Sequence, residues 1–141
     1  MKKTRILIVS ANYYPDLSNN MEQDVSKYLH NNFSENKKLL PGLGTAVTIN
    51  VPGVFEIPVT IARNIKKWDG FIALGCVIKG ETPHFDFISK STTDALMNLS
   101  IQSKKPIGNG ILTCLNIDQA LVRSISKGRE AAKAVISVLT Q

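Results

Sequence analysis

Histidine and cysteine are scarce in this chain, with two of each in 141 residues, and tryptophan occurs once. Cys76 and Cys114 lie far apart in apolar stretches and form no CxxC motif, a pattern that suits buried small residues and argues against a disulfide or a cysteine-based metal pair. His30 stands in a helical pattern among Tyr28, Leu29 and Phe33 without an HExxH neighbour, so no metal site is expected. Long apolar runs are missing too: none approaches the roughly 20 residues needed to span a bilayer. The first run, Arg5 to Val9, is also too short for the apolar core of a signal peptide, and a cytoplasmic protein is expected.

Nucleotide-binding glycine signatures are absent. No GxGxxG follows the first strand, no GxxxxGK[ST] occurs, and Gly42-Leu43-Gly44 precedes a strand instead of following one. A GxSxG nucleophile elbow is lacking as well.

Charge is present but dispersed. Seventeen Lys and Arg against eleven Asp and Glu give +6, a balance that suits nucleic acid, an acidic surface or phosphorylated small molecules. The cations come in ones and twos (Lys2-Lys3, Lys37-Lys38, Lys66-Lys67, Lys104-Lys105) without an aromatic-interleaved stripe. They are expected to be solvated faces, with neither nucleic acid nor membrane as a partner.

Hydrophobic patterning organises the rest into one domain spanning residues 1–141. Arg5 to Ser10 is a β-branched run suited to a strand buried on both faces. From Met21 the positions Met21, Val25, Tyr28, Leu29 and Phe33 recur at helical spacing. Thr45 to Val51 is a second strand, entered through Pro41-Gly42-Leu43-Gly44, and Pro58 opens a helix continued by Ile61, Ala62 and Ile65. Gly70 to Ile78 predicts a third strand before a helix carrying Ile88, Thr92, Ala95, Leu96 and Leu99. A weaker fourth run, Pro106 to Leu112, is interrupted by Gly108 and Gly110. Asn116 with Gln119 makes a helix-start pair. Gly128 is expected to separate that helix from a last one with Ala131, Ala132, Val135, Ile136 and Leu139 inward. Four strands alternating with helices imply an α/β fold, a four-stranded parallel sheet covered on both faces.

Ligands of such sheets bind at the carboxyl ends of the strands, here the loops Ala11 to Asn20, Pro52 to Ile57, Lys79 to His84 and Thr113 to Asn116. In the third, Gly80 and the amides near the helix start can face an anion, and Thr82 adds a hydroxyl donor. His84 could move protons there, or cap and pack the helix start. Phe55 and Glu56 stand at a helix entrance, where Glu56 can accept hydrogen bonds from a polyol or favour the helix dipole. Tyr13 can stack on a planar ring or fill an interface. Arg123 can clamp a phosphate or be a surface charge. From the residues alone this is an anion-binding, proton-moving site for a planar ligand.

Three stretches carry a resemblance: Pro52-Gly53-Val54-Phe55-Glu56-Ile57-Pro58, then Leu74 through Asp86 containing Gly80-Glu81-Thr82-Pro83-His84, and Asn109-Gly110-Ile111-Leu112-Thr113 followed by Gln119-Ala120 and Arg123. In these the chain resembles the 6,7-dimethyl-8-ribityllumazine synthase family. The resemblance implies a flavodoxin-like three-layer α/β/α sandwich and a transferase that joins 5-amino-6-(D-ribitylamino)uracil to 3,4-dihydroxy-2-butanone 4-phosphate, losing phosphate and water. That is the penultimate step of riboflavin biosynthesis, and it uses no metal or organic cofactor. It further implies His84 as the proton-transfer residue and Glu81, Thr82 and Arg123 around the phosphate. Tyr13 falls where the family has a phenylalanine stacked on the pyrimidine. Val54, Phe55 and Glu56 fall at the ribityl chain, and Cys76, Val77 and Ile78 along the ring. Asn109 occupies a position of many members' aromatic residue from the neighbouring subunit, and Lys127 matches a lysine that can approach the phosphate, after a shortened segment Ser124-Ile125-Ser126. A homopentamer is expected, within a family that also stacks to decamers or closes into icosahedral shells of twelve pentamers. A non-catalytic flavin-binding or shell-forming member would keep Tyr13 and lose His84 or Arg123. A nucleic-acid-binding module would show affinity that falls steeply with salt.

Overall fold

The computed structural model describes residues 3–35, 43–80 and 84–141, without the side chains of residues 33–35 and 43–44. Four strands, β1 (Thr4–Ala11), β2 (Leu43–Val51), β3 (Gly70–Ile78) and β4 (Ile107–Cys114), alternate with four helices, α1 (Pro15–Glu35), α2 (Ile57–Asn64), α3 (Phe85–Ser103) and α4 (Ile117–Leu139). The strands are parallel in the order β2-β1-β3-β4. Ile8 lies opposite Thr48 and Ile72, and Leu74 opposite Gly110.

Alternation along the strands sorts the core into two sheets of contact. Ile6, Ile8, Ile72, Leu74 and Leu112 face Leu17, Met21, Val25 and Leu29 of α1 and Ala131, Ala132 and Val135 of α4. Leu7, Val9, Phe71, Ala73 and Val77 face Ile57 and Ile61 of α2 and Leu96 of α3. Every residue of β3 is buried, which explains its unbroken apolar run. The result is the three-layer sandwich, with α1 and α4 on one face and α2 and α3 on the other.

Several boundaries differ from the sequence expectation. Helix α1 begins at Pro15, not near Met21: proline suits a first helical turn, and the polar Ser18 turns inward, its Oγ donating to the Ala11 carbonyl at 2.7 Å. The expected break at Gly128 does not occur, and α4 runs unbroken through it. A Cβ at Gly128 would stand 2.4 Å from the Met21 carbonyl oxygen. Glycine is there to let α1 and α4 touch, not to end a helix. Strand β4 reaches Cys114, two residues past the expected Leu112. The turn expected at Pro41-Gly42 and the side chain of Phe33 lie outside the described residues.

The helix-start pair is as expected. Asn116 Oδ1 accepts from the Gln119 amide at 2.9 Å, and Gln119 Oε1 accepts from the Leu115 amide at 3.0 Å. At the other end of its own helix, Lys104 caps α3 in the left-handed region (φ 59, ψ 32), where a side chain costs about 1 kcal/mol relative to glycine.

Candidate active site

Because the strands are parallel, Ala11, Val51, Ile78 and Cys114 end at one edge of the sheet. The chain leaves β1 toward β2 on one side, while β3 lies on the other. Loops therefore diverge between β1 and β3, leaving a crevice at that switch point.

Two loops, the end of β3 and one helix turn line a cavity of about 110 Å³ there. Tyr13 and Tyr14 come from the end of β1, Gly53, Val54 and Phe55 from the end of β2, Cys76 and Val77 from β3, and Ile88 from α3. Tyr13 is 62% exposed and meets Tyr14 edge-on, with ring centroids 4.9 Å apart. The Ser18 bond to Ala11 fixes the short turn that carries both rings. Val54 is buried while Phe55 is exposed, so the turn at Val54–Glu56 presents one apolar side chain inward and one outward. Glu56 lies beside Gly53, whose added Cβ would be 3.3 Å from Glu56 Oε1.

Beyond β3, the Lys79 amide donates to the Cys114 carbonyl at 2.9 Å, joining the third loop to the end of β4. Gly80 follows with φ 87, a left-handed turn that glycine adopts without strain. His84 is the N-cap residue of α3, but its side chain makes no capping hydrogen bond. Its exposed imidazole stands edge-on to Phe87, centroids 6.3 Å apart. The His84 carbonyl accepts from the amide of Ile88, the cavity residue one turn on. Glu81 and Thr82 lie outside the described residues.

Arg123 lies at the adjoining end of β4. Its Nη1 is 3.5 Å from the Thr113 carbonyl oxygen and 3.6 Å from Cys114 Sγ, and it borders an open depression with Asp118, Gln119 and Val122. Among the described residues no group of three His, Cys, Asp or Glu side chains could hold a metal ion.

Residues 3–141 match the model of the 6,7-dimethyl-8-ribityllumazine synthase family. The chain belongs to that family. Curated relatives carrying that name include the protein of Agrobacterium fabrum, 38% identical over 99% of this chain and 95% of the relative. The protein of Methylorubrum populi is 36% identical over 96% and 81% respectively. A relative from Rhodopseudomonas palustris, named 6,7-dimethyl-8-ribityllumazine synthase 1, is 37% identical over 96% and 83%. Membership makes the chain an enzyme of the transferase class, in riboflavin biosynthesis.

Set against the family positions, Tyr13, Val54, Phe55, Cys76 and Val77 gather around one cavity, with His84 a turn from its wall. Ile78 is buried at the end of β3 with its side chain in the α1/α4 core. Lys127 is half-buried and sits one turn beyond Arg123, so the short segment Ser124-Ile125-Ser126 is helical and keeps both cations on one side of α4. Asn109 is not brought to this cavity. It lies mid-strand on the outer edge of the sheet, exposed, and its Oδ1 accepts from the Ile111 amide at 3.0 Å. Three lining residues, Gly53, Tyr14 and Ile88, were not among the sequence candidates. Tyr14 adjoins Tyr13, and Ile88 follows His84 by four residues, a spacing that signals the same helix face.

Proposed function

We propose that this chain condenses 5-amino-6-(D-ribitylamino)uracil with 3,4-dihydroxy-2-butanone 4-phosphate, releasing phosphate and water, with His84 as the proton-transfer residue. The observation that carries this reading is the single cavity closed by Tyr13, Val54 and Val77 from three different strand ends, with an uncapped, exposed imidazole one turn from Ile88. Imine formation, phosphate elimination and ring closure need reactants held in position and protons moved, and no covalent nucleophile. Tyr13 stacks on the pyrimidine, while Val54, Phe55 and Glu56 hold the ribityl chain. The groups of Cys76, Val77 and Ile78 flank the ring. Arg123, with Glu81, Thr82 and Lys127, receives the phosphate.

A cavity of about 110 Å³ is smaller than the roughly 300 Å³ at which small-ligand pockets begin, so it holds part of the reacting pair and the remainder lies outside it. Asn109, on the open edge of β4, reaches a neighbouring subunit's site in this reading. Exposed Phe87, Met97 and Val122 support self-association, for which we propose a homopentamer. No described helix is long and apolar enough to cross a membrane, and we place the enzyme in the cytoplasm.

The test is an assay with both substrates, following lumazine absorbance above the uncatalysed background. His84→Ala is expected to slow condensation roughly 10²-fold or more while pyrimidine affinity is nearly kept. Unchanged turnover would remove His84 from the mechanism. If wild-type protein that is folded and assembled gives no product, the reaction assignment fails and flavin affinity becomes the next measurement.

A further inference from the structure

The paired cations that look scattered along the sequence converge in space. Helices α2 and α3 run back along the sheet and end beside the starts of β3 and β4, at the edge opposite the cavity. There the turns are tied together. The Asp69 amide donates to the Arg5 carbonyl, and the Arg5 amide donates to Asp69 Oδ2, both at 2.8 Å. Lys105 Nζ donates to the Ile65 carbonyl at 2.6 Å, and the Phe71 amide to Pro106 at 3.0 Å.

Among the described residues Lys3, Arg5, Arg63, Lys66, Lys67, Lys104 and Lys105 thus share this edge, with Asp69 among them.

A second observation concerns Lys104. It holds the left-handed cap of α3, a position that glycine fills with less strain. A cation is kept there against the backbone preference, and strain of that kind points to a use for the side chain.

The chemistry of the edge selects its partner. Its ring, Trp68, is 8% exposed and lies under the Arg5 guanidinium, 4.5 Å from the ring centroid. Among the described residues of these turns no aromatic ring is left to stack on a base or enter a lipid interface. Exposed Ile101 stands one turn before Lys104, and the two border a groove with Lys105, Ile107 and Val138 whose polar rim is formed by the lysines. Lysine is depleted from protein–protein interfaces, whereas lysine-rich surfaces with little else match a phosphate backbone. We infer that the amino edge of the sheet is a sequence-independent docking surface for the phosphodiester backbone of nucleic acid, separate from the catalytic edge.

The experiment is a binding titration of the assembled protein with a labelled 20-base-pair DNA duplex at several salt concentrations. Six exposed cations set the ceiling, and about four phosphate contacts predict an affinity loss on the order of 10²-fold between 50 and 200 mM salt. Lys66→Gln with Lys67→Gln is expected to reduce the logarithmic salt slope by about 2, and Lys104→Gly by about 1. Lys104→Gly should leave the thermal midpoint unchanged or raised, so that weaker binding there is not a folding defect. Lys90→Gln, in the first turns of α3 at the opposite end of that helix from Lys104, should bind as wild type does. No binding at 50 mM salt, equal loss in the Lys90 variant, or equal competition by poly-glutamate would overturn the inference.

Discussion

The two helix layers of this sandwich are built to different tolerances. Along the seam of α1 and α4, Gly128 brings the backbones together at Met21. Asn20 Nδ2 donates to Ser124 Oγ at 3.2 Å, and Asp24 Oδ2 accepts from the Arg129 amide at 2.8 Å. The Arg129 guanidinium adds a longer contact, 3.8 Å from Asp24 Oδ1. On the opposite face, the short α2 and the long α3 leave a cleft of about 520 Å³ lined by Phe55, Pro58, Val59, Thr92 and Ala95. Phe55 is 69% exposed and Val59 57%. One layer is completed by the chain's own first and last helices. The other offers an unfilled apolar groove of the kind that association fills, consistent with the homopentamer proposed above.

That contrast can be broken at three levels. The largest effect is expected from Gly128→Val, because the added atoms would displace the Met21 carbonyl and prise α1 from α4. A loss of roughly 3 kcal/mol in a denaturant titration is expected, and a loss below about 1 kcal/mol would show that the seam is looser than the geometry implies. Next comes Val59→Glu, which puts a carboxylate into the open cleft. It should weaken subunit association by about 10²-fold in sedimentation while the secondary structure persists. Intact assembly would place that cleft outside the interface.

The smallest effect concerns polar decoration on α3. The Asp94 carboxylate, 2.7 Å from the exposed Lys90 ammonium, raises the lysine pKa above its ordinary 10.5 mainly through that hydrogen bond. A raised value means that the pair's contribution is present below about pH 10.5 and fades as pH rises beyond it. Both side chains are largely solvated, so Lys90→Gln should leave the unfolding midpoint at pH 7 within error. A clear shift would mean that α3 depends on surface charge more than on Leu96 and Thr92 beneath it.

Much of this architecture was legible in the sequence because a parallel sheet leaves a strong imprint. Strand β3 is buried at every position and reads as an uninterrupted apolar run. Residues that contradict their usual local meaning were harder. Gly108 and Gly110 make β4 look weak, yet a Cβ at Gly108 would lie 2.4 Å from the Ala131 carbonyl oxygen. Gly108 admits α4 against the sheet, and a Cβ at Gly110 would meet Leu74 Cδ2 of β3 at 2.6 Å, tertiary requirements with no local signature. Gly128 was misread as a stop for the same reason. Pro15 and Ser18 disguised the start of α1, since a polar helix turn resembles a loop until its hydroxyl is seen bonding Ala11. At the site, the switch-point rule anticipated that the loops carrying Tyr13 and Val54 meet, while the third side of the cavity comes from Cys76 and Val77 within β3 and not from the loop after it. No pattern in one chain shows how Asn109 relates to a cavity, because its strand edge faces outward.

The seam of α1 and α4 also sets an order of events during synthesis. Met21, Val25 and Leu29 are covered in part by Ala131, Ala132 and Val135, and Asp24 receives the Arg129 amide across 105 positions of sequence. A growing chain emerges N-terminal end first, so the apolar stripe of α1 waits until α4 has emerged before its proper cover arrives. Until then that stripe is available to other nascent chains or to chaperones. Correct burial of that stripe therefore depends on α4.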